Sequence, residues 1–118
     1  KGMRFVFDVA REPGVKDTRT GKRWTLPDLQ ENGRTKEDYV LISRVLASPT
    51  GEFLVAGAGI TQYGGHTVAE VLTVDGPLQE MLGRVSGQWP SRNLQILLHV
   101  KVLGQTAGPP ELIDIHEW

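Results

Sequence analysis

Residues 40–72 read VLISRVLASPTGEFLVAGAGITQYGGHTVAEVL, and the reading of this stretch decides the fold. Two apolar runs, Tyr39–Leu46 (YVLISRVL) and Glu52–Ala58 (EFLVAGA), flank Ala47-Ser48-Pro49-Thr50-Gly51, where Pro and Gly stand at turn positions. The spacing predicts an antiparallel hairpin. Both runs are apolar on both faces, broken by Ser43 and Arg44, which predicts strands inside a sheet covered by helices. Gly57 and Gly59 within the second run predict a close backbone approach by a helix or a ligand. A glycine-rich loop then leads into His66–Leu72, where Val68, Ala69, Val71 and Leu72 fall at helical spacing.

Strand, glycine loop and helix in that order are the context of a phosphate or dinucleotide cradle. The spacing fits neither common form. GxGxxG needs glycine at 62, where Gln62 stands, and the P-loop pattern matches Gly59 and Gly64 but has Gly65 and His66 in place of Lys and Ser/Thr. Three readings remain, in descending order: a tight strand-to-helix turn that needs glycine for its geometry, a site for a small neutral or anionic ligand, and a nucleotide site. For the second reading the candidate ligand-binding residues are Gly59, Thr61, Gln62, Tyr63 and Gly64, acting by backbone N–H groups and side chains. Arg44 would then supply the charge that clamps an anion. Alternatively, Arg44 snorkels or meets a carboxylate such as Asp8.

Outward from this centre, Arg4–Val9 (RFVFDV) alternates as a short half-buried strand, and residues 10–22 are charged and aperiodic, which predicts a loop. Residues 23–26 give a few extended positions, with Trp24 expected as an anchor at the core edge. The whole 10–38 segment is long for a structureless connection and reads as a surface meander or a functional flap. Past residue 72, Asp75 and Pro77 can open a second helix bearing the stripe Leu78, Met81, Leu82 and Val85. Asn93–Leu103 (NLQILLHVKVL) is the clearest strand, and Glu111–Trp118 (ELIDIHEW) follows a seven-residue loop as its hairpin partner. The step from 53–58 through 65–85 to 94–103 is long enough for a parallel crossover.

Composition narrows the function classes. The 118 residues carry a net charge of −1, with 39% hydrophobic and 23% charged residues, which bounds one globular domain. That charge balance gives no general footprint for nucleic acid. The absence of cysteine removes disulfides, thiolate catalysis and cysteine-based zinc sites, and fits a reducing compartment. No apolar run reaches the length of a transmembrane helix. The opening Lys1-Gly2-Met3 fits either a fragment or two foreign residues before Met3. His99 and His116 fall on strands expected to pair, where Asp114 or Glu117 could complete a two-His, one-carboxylate set, although the spacing does not require it. No serine stands in a GxSxG elbow. No catalytic residue and no metal ligand is assigned.

The runs DYVLISRV (38–45) and FLVAGAGITQYGGHTVAEVLT (53–73), then Trp89, NLQILL (93–98) and the closing His116-x-Trp118, resemble the C-terminal region of predicted acidobacterial regulators. In those proteins a winged-helix DNA-binding domain is followed by an uncharacterised α/β domain. The resemblance runs from Arg4 to Trp118 and implies a sensory or effector role, with this chain as the second part of a larger domain. Gly65 and the 74–76 region depart from the family pattern.

The expectation from sequence is therefore a single α/β domain over 1–118, Rossmann-like or periplasmic-binding-like, with a mixed sheet and helices from 65–85 on one face. The favoured function is a cytoplasmic ligand-sensing effector domain of a transcriptional regulator. A protein-interaction or dimerisation module is the alternative, and an enzyme ranks third. No cofactor, no membrane and no direct nucleic-acid partner is expected. A small-molecule ligand, a homo-oligomer or an upstream domain is the expected partner.

Overall fold

The computed structural model describes residues 2–9, 12–47, 51–73 and 92–118. The expected second helix with Leu78, Met81, Leu82 and Val85, the Trp89-Pro90 loop and turn residues 48–50 lie outside them. The described chain forms strands β1 (Phe5–Asp8), β2 (Gly14–Asp17), β3 (Arg23–Thr25), β4 (Glu37–Ala47) and β5 (Glu52–Gly59). Helix α1 (Gln62–Thr73) and strands β6 (Leu94–Leu103), β7 (Thr106–Ala107) and β8 (Glu111–Glu117) follow.

The hairpin read from the sequence is present. β4 and β5 pair antiparallel from Val40↔Gly59 to Ala47↔Glu52. β4 also pairs antiparallel with β6, and β6 with β8 and the short β7, so the main sheet runs β5-β4-β6 with β7 and β8 along the far side of β6. β5 and β6 each run opposite to β4 and so point the same way. The crossover through α1 thus skips one strand, a split β-α-β arrangement. Ile113 is the extra residue of a bulge, since Leu97 pairs with Asp114 and Leu98 with Leu112.

The Rossmann-like or periplasmic-binding-like α/β architecture is corrected by these pairings. Every strand pair is antiparallel, and one helix stands among the described residues beside two sheets. The two-faced apolarity of the central strands is real but has a different cover on each face. On one face, Val68 and Val71 of α1 pack on Val40, Ile42, Ile96, Leu98 and Val100. On the other face, Phe5 and Val15 pack on Leu41 and Leu97, with Trp24, Tyr39 and Ile60 around them. This second cover is the antiparallel sheet β1-β2-β3. Residues 14–17 are a strand where the sequence predicts a loop, because pairing on both sides supplies the order that their own pattern lacks. Trp24 is the expected core-edge anchor, edge-on to Phe5 with ring centroids 6.1 Å apart.

Two buried polar side chains hold the small sheet in place. Gln95 is fully buried on β6; its Oε1 accepts from the N–H groups of Arg4 (2.7 Å) and Phe5 (2.8 Å). Its Nε2 donates to the Phe5 carbonyl (2.8 Å) and to Ser43 Oγ (3.2 Å). One side chain thus replaces the backbone pairing that β1 lacks toward the layer below it. Asp17 accepts a two-pronged bond from Arg4, Nε to Oδ1 at 3.0 Å and Nη2 to Oδ2 at 2.8 Å. It also receives the Arg19 N–H (2.9 Å) and the Thr20 hydroxyl (3.0 Å). The Arg4 bond, joined by those two donors, holds the Asp17 carboxyl far below the ordinary carboxylate range, and Asp17 in turn raises the Arg4 guanidinium.

Replacing Gln95 by leucine keeps the volume and removes every polar atom of this link. The N–H groups of Arg4 and Phe5 and the Phe5 carbonyl then lose their partner, a cost of about 2–4 kcal/mol. Thermal and urea unfolding of Gln95→Leu should show that loss. Stability equal to that of the parent protein would mean that β1 is held by packing alone.

Candidate functional site

The glycine loop joins β5 to α1 and is built around one carboxylate. Asp38 lies near the start of β4 and is fully buried. Its Oδ1 accepts from the N–H groups of Tyr39 (2.8 Å) and Ile60 (3.1 Å). Its Oδ2 accepts from the Thr61 N–H (2.9 Å), the Thr61 hydroxyl (2.7 Å) and the Gly64 N–H (2.8 Å). Thr61 caps the helix locally, its Oγ1 accepting from the Tyr63 N–H at 3.3 Å. Asp38 supplies from the neighbouring strand the negative charge that a helix N-terminus favours, worth about 0.3–2 kcal/mol. The first turn of α1 contains no acidic residue of its own. The loop is therefore an anion cradle whose anion is a side chain of the same molecule.

The glycines follow from that carboxylate. A Cβ on Gly64 would lie 2.5 Å from Asp38 Oδ2 and 2.7 Å from the Gly59 Cα. A Cβ on Gly59 would lie 2.5 Å from the Gly64 Cα and 2.9 Å from Asp38 Oδ2. Gly57 admits the helix, since a Cβ there would meet Val68 Cγ1 at 2.6 Å. By contrast, a Cβ on Gly65 would have no heavy atom within 4 Å.

The candidate ligand-binding residues are distributed as follows. Gly59, Thr61 and Gly64 gather at Asp38, and the Thr61 and Gly64 N–H groups donate to it. Tyr63 is buried under the helix, and Gln62 is exposed at its first turn. Arg44 is not brought to the loop. It pairs with Val55 and Leu94, four residues along β4 from the Val40↔Gly59 pair, about 13 Å at the usual strand rise. Its Nη1 donates to the Arg92 carbonyl at 3.2 Å.

Asp38 was not singled out from the sequence, and no local motif links it to residues 59–64. The signal lay in the hairpin itself. The observed pairing continues past Val40↔Gly59 through the Ile60 N–H to Tyr39 carbonyl bond (3.1 Å), and one step further places Asp38 opposite Thr61.

The histidines stand apart. His99 pairs with Glu111 and His116 with Gln95, four residues along β6. His99 Nε2 lies 2.8 Å from Glu37 Oε1 and its Nδ1 3.3 Å from Glu111 Oε1, while His116 stacks on Trp118. Among the described residues no group of three His, Asp or Glu side chains is placed to hold a metal ion.

Two surface features remain. β5 ends the main sheet: it pairs with β4 on one side, and among the described residues no strand pairs with its other side. Beside it runs an apolar groove of about 300 Å³ between β1 and β5, lined by Met3, Phe5, Phe7, Leu41, Ala56 and Ala58 among others. Comparison with family models, curated proteins and solved structures finds no match to this chain.

Gly64→Ala should cost about 2–4 kcal/mol in urea unfolding, through the steric clash and the bonds lost at Asp38. Gly65→Ala, in the same helical turn with open space around it, should gain about 0.5–1 kcal/mol. Equal effects at the two positions would show that Asp38 does not shape this loop.

Proposed function

We propose that this chain is a non-catalytic assembly module that binds a polypeptide by adding a strand to the open side of β5. The observation that carries this reading is that, among the described residues, no strand pairs with the outer side of β5. Sheet edges are ordinarily blunted by proline, lysine, a bulge or a covering segment. β5 is eight residues long, contains no proline or lysine, and pairs with β4 in unbroken register. Leu54 and Val55 are exposed at 66% and 51%, which is costly for apolar side chains that stay in water.

The backbone of β5 is set for such a partner. The Ile60 N–H bonds the Tyr39 carbonyl directly opposite it, so hydrogen bonds to β4 fall at residues 54, 56, 58 and 60. The N–H and C=O groups of Phe53, Val55, Gly57 and Gly59 therefore point to the open side. Strand addition takes its affinity from such main-chain groups and its selectivity from neighbouring pockets, and the apolar groove beside Ala56 and Ala58 supplies one.

The ligand-sensing function favoured from sequence places a small molecule on the N–H groups of loop 59–65; Asp38 engages those of Ile60, Thr61 and Gly64, which favours the assembly reading, the alternative from sequence. An effector domain of a transcriptional regulator is the setting that the sequence resemblance supplies. Holding two DNA-binding domains together is what such a module contributes to reading paired half-sites.

A soluble octapeptide of alternating Thr and Val with lysine at both ends is a sufficient probe. Titrated in excess into the protein diluted until it sediments as a monomer, it should shift the backbone amide resonances of Val55 and Gly57 more than those of Leu54 and Ala56. Val55→Pro removes one outward N–H while sparing the β4 ladder, and should weaken the peptide about tenfold. A peptide that leaves the β5 amides unmoved, or binds Val55→Pro as well as the parent protein, would contradict the reading.

A further inference from the structure

Resting on that reading, we infer that the strand received by β5 is β5 of a second copy of this chain, antiparallel, with Ala56 on the twofold axis. Two antiparallel edge strands related by a dyad keep each face of the sheet on its own side. Residues that meet across the axis must then share a face and a hydrogen-bonding class. The outward-pointing groups sit at 53, 55, 57 and 59. A dyad at residue 56 pairs Val55 with Gly57 and Phe53 with Gly59, each pair exchanging both its bonds. The intervening non-hydrogen-bonded pairs are Leu54 with Ala58 and Ala56 with its own mate.

The sequence of β5, EFLVAGAG, is graded for this register. Its larger residues occupy the first half and its small ones the second, so antiparallel self-pairing sets each large side chain against a small one. A parallel pairing would set large against large. Leu54 shares a face with Ala56 and Ala58, which line the apolar groove, and Met3 and Phe7 on its walls are half-exposed. In the dimer, Leu54 of one copy comes opposite Ala58 of the other and so arrives at the mouth of that groove. Val55, on the opposite face, comes opposite Gly57, where Val68 of α1 closes over the strand.

Charge agrees with this pairing. Glu52 is the one charged residue of β5. Glu52 and its mate stand at opposite ends of the paired region, eight residues apart and about 27 Å at the usual rise, so their repulsion is slight. The two main sheets then form one continuous sheet with β5 and its mate at the centre, and neither β5 edge remains open.

The chain contains no cysteine, so a single introduced one reports the register directly. Ala56→Cys places two thiols across a non-hydrogen-bonded pair, where Cα atoms lie about 4.5 Å apart, within disulfide reach. Under mild oxidation of the folded full chain, Ala56→Cys should run almost wholly as a disulfide-linked dimer on a non-reducing gel. Leu54→Cys and Ala58→Cys, each four residues from its own mate, should remain monomeric singly and cross-link when mixed. Sedimentation equilibrium of the unaltered protein, which needs no variant to fold, should give a dimer at micromolar concentration that Val55→Pro converts to monomer. A monomer at 100 micromolar, a dimer that Val55→Pro leaves intact, or cross-linking no faster at 56 than at 54 would overturn the inference. If the octapeptide still moves Val55 and Gly57 in that case, β5 receives another chain and the assembly reading stands; if it does not, both fall.

Discussion

A single buried carboxylate organises the centre of this molecule. Asp38 leaves β4 and gathers main-chain N–H groups from Tyr39, Ile60, Thr61 and Gly64 together with the Thr61 hydroxyl. Placing a carboxylate out of water is costly unless each of its lone pairs finds a donor. The loop therefore has to close on it in one geometry, which brings the start of α1 against the start of β4 and needs glycine at 59 and 64. With the helix start pinned there, Val68 and Val71 come down on Val40, Ile42, Ile96 and Leu98. The β4–β5 register, the glycine positions and the seat of the helix are consequences of one charge–backbone arrangement.

The other face of the sheet depends on Gln95. Its amide bonds three backbone groups of Arg4 and Phe5 and fixes β1 over Leu41 and Leu97. The β1-β2-β3 sheet then covers the sheet face that the helix does not reach. The helix reaches β5 only at Gly57, where Val68 lies over it, and leaves the first half of the strand bare: Leu54 and Val55 are mostly exposed. The buried centre and the open edge belong to the same hairpin. One of its strands carries the residue that closes the loop, and the other offers its main chain outward.

How much of this could be read from the sequence follows from the range of each signal. The β4–β5 hairpin, the β6–β8 pair, the first strand and the body of the helix were legible, because alternation, turn residues and helical spacing are local patterns; the helix start was not, since Gln62–Gly65, which read as loop, form its first turn. The layer arrangement was not. Apolar residues on both faces of β4 say that both faces are covered, and nothing in residues 40–47 distinguishes a helix from a sheet as the cover. The α/β expectation followed from choosing helices, whereas the second cover comes from residues 5–25, of which Gly14–Asp17 lacks strand periodicity and takes its form from β1 and β3. The glycine loop was read correctly as the junction of strand and helix. Its occupant was not legible as a motif, since Asp38 and Gly64 are far apart in sequence and are joined only by carrying the hairpin register past its last apolar pair. Arg44 illustrates the same limit: its lone charge in an apolar strand marked it for the cleft, and strand geometry carries it to the far end of β4.

The central claim is that the loop after β5 is satisfied from within while β5 itself is open to a second chain. Residue-resolved amide hydrogen exchange across a protein concentration series tests both halves together. The account predicts slow exchange at Thr61 and Gly64 at every concentration, with Val55 and Gly57 exchanging fast when dilute and slowly as concentration rises. Fast exchange at Gly64, or rates at Val55 and Gly57 that do not change with concentration, would contradict it.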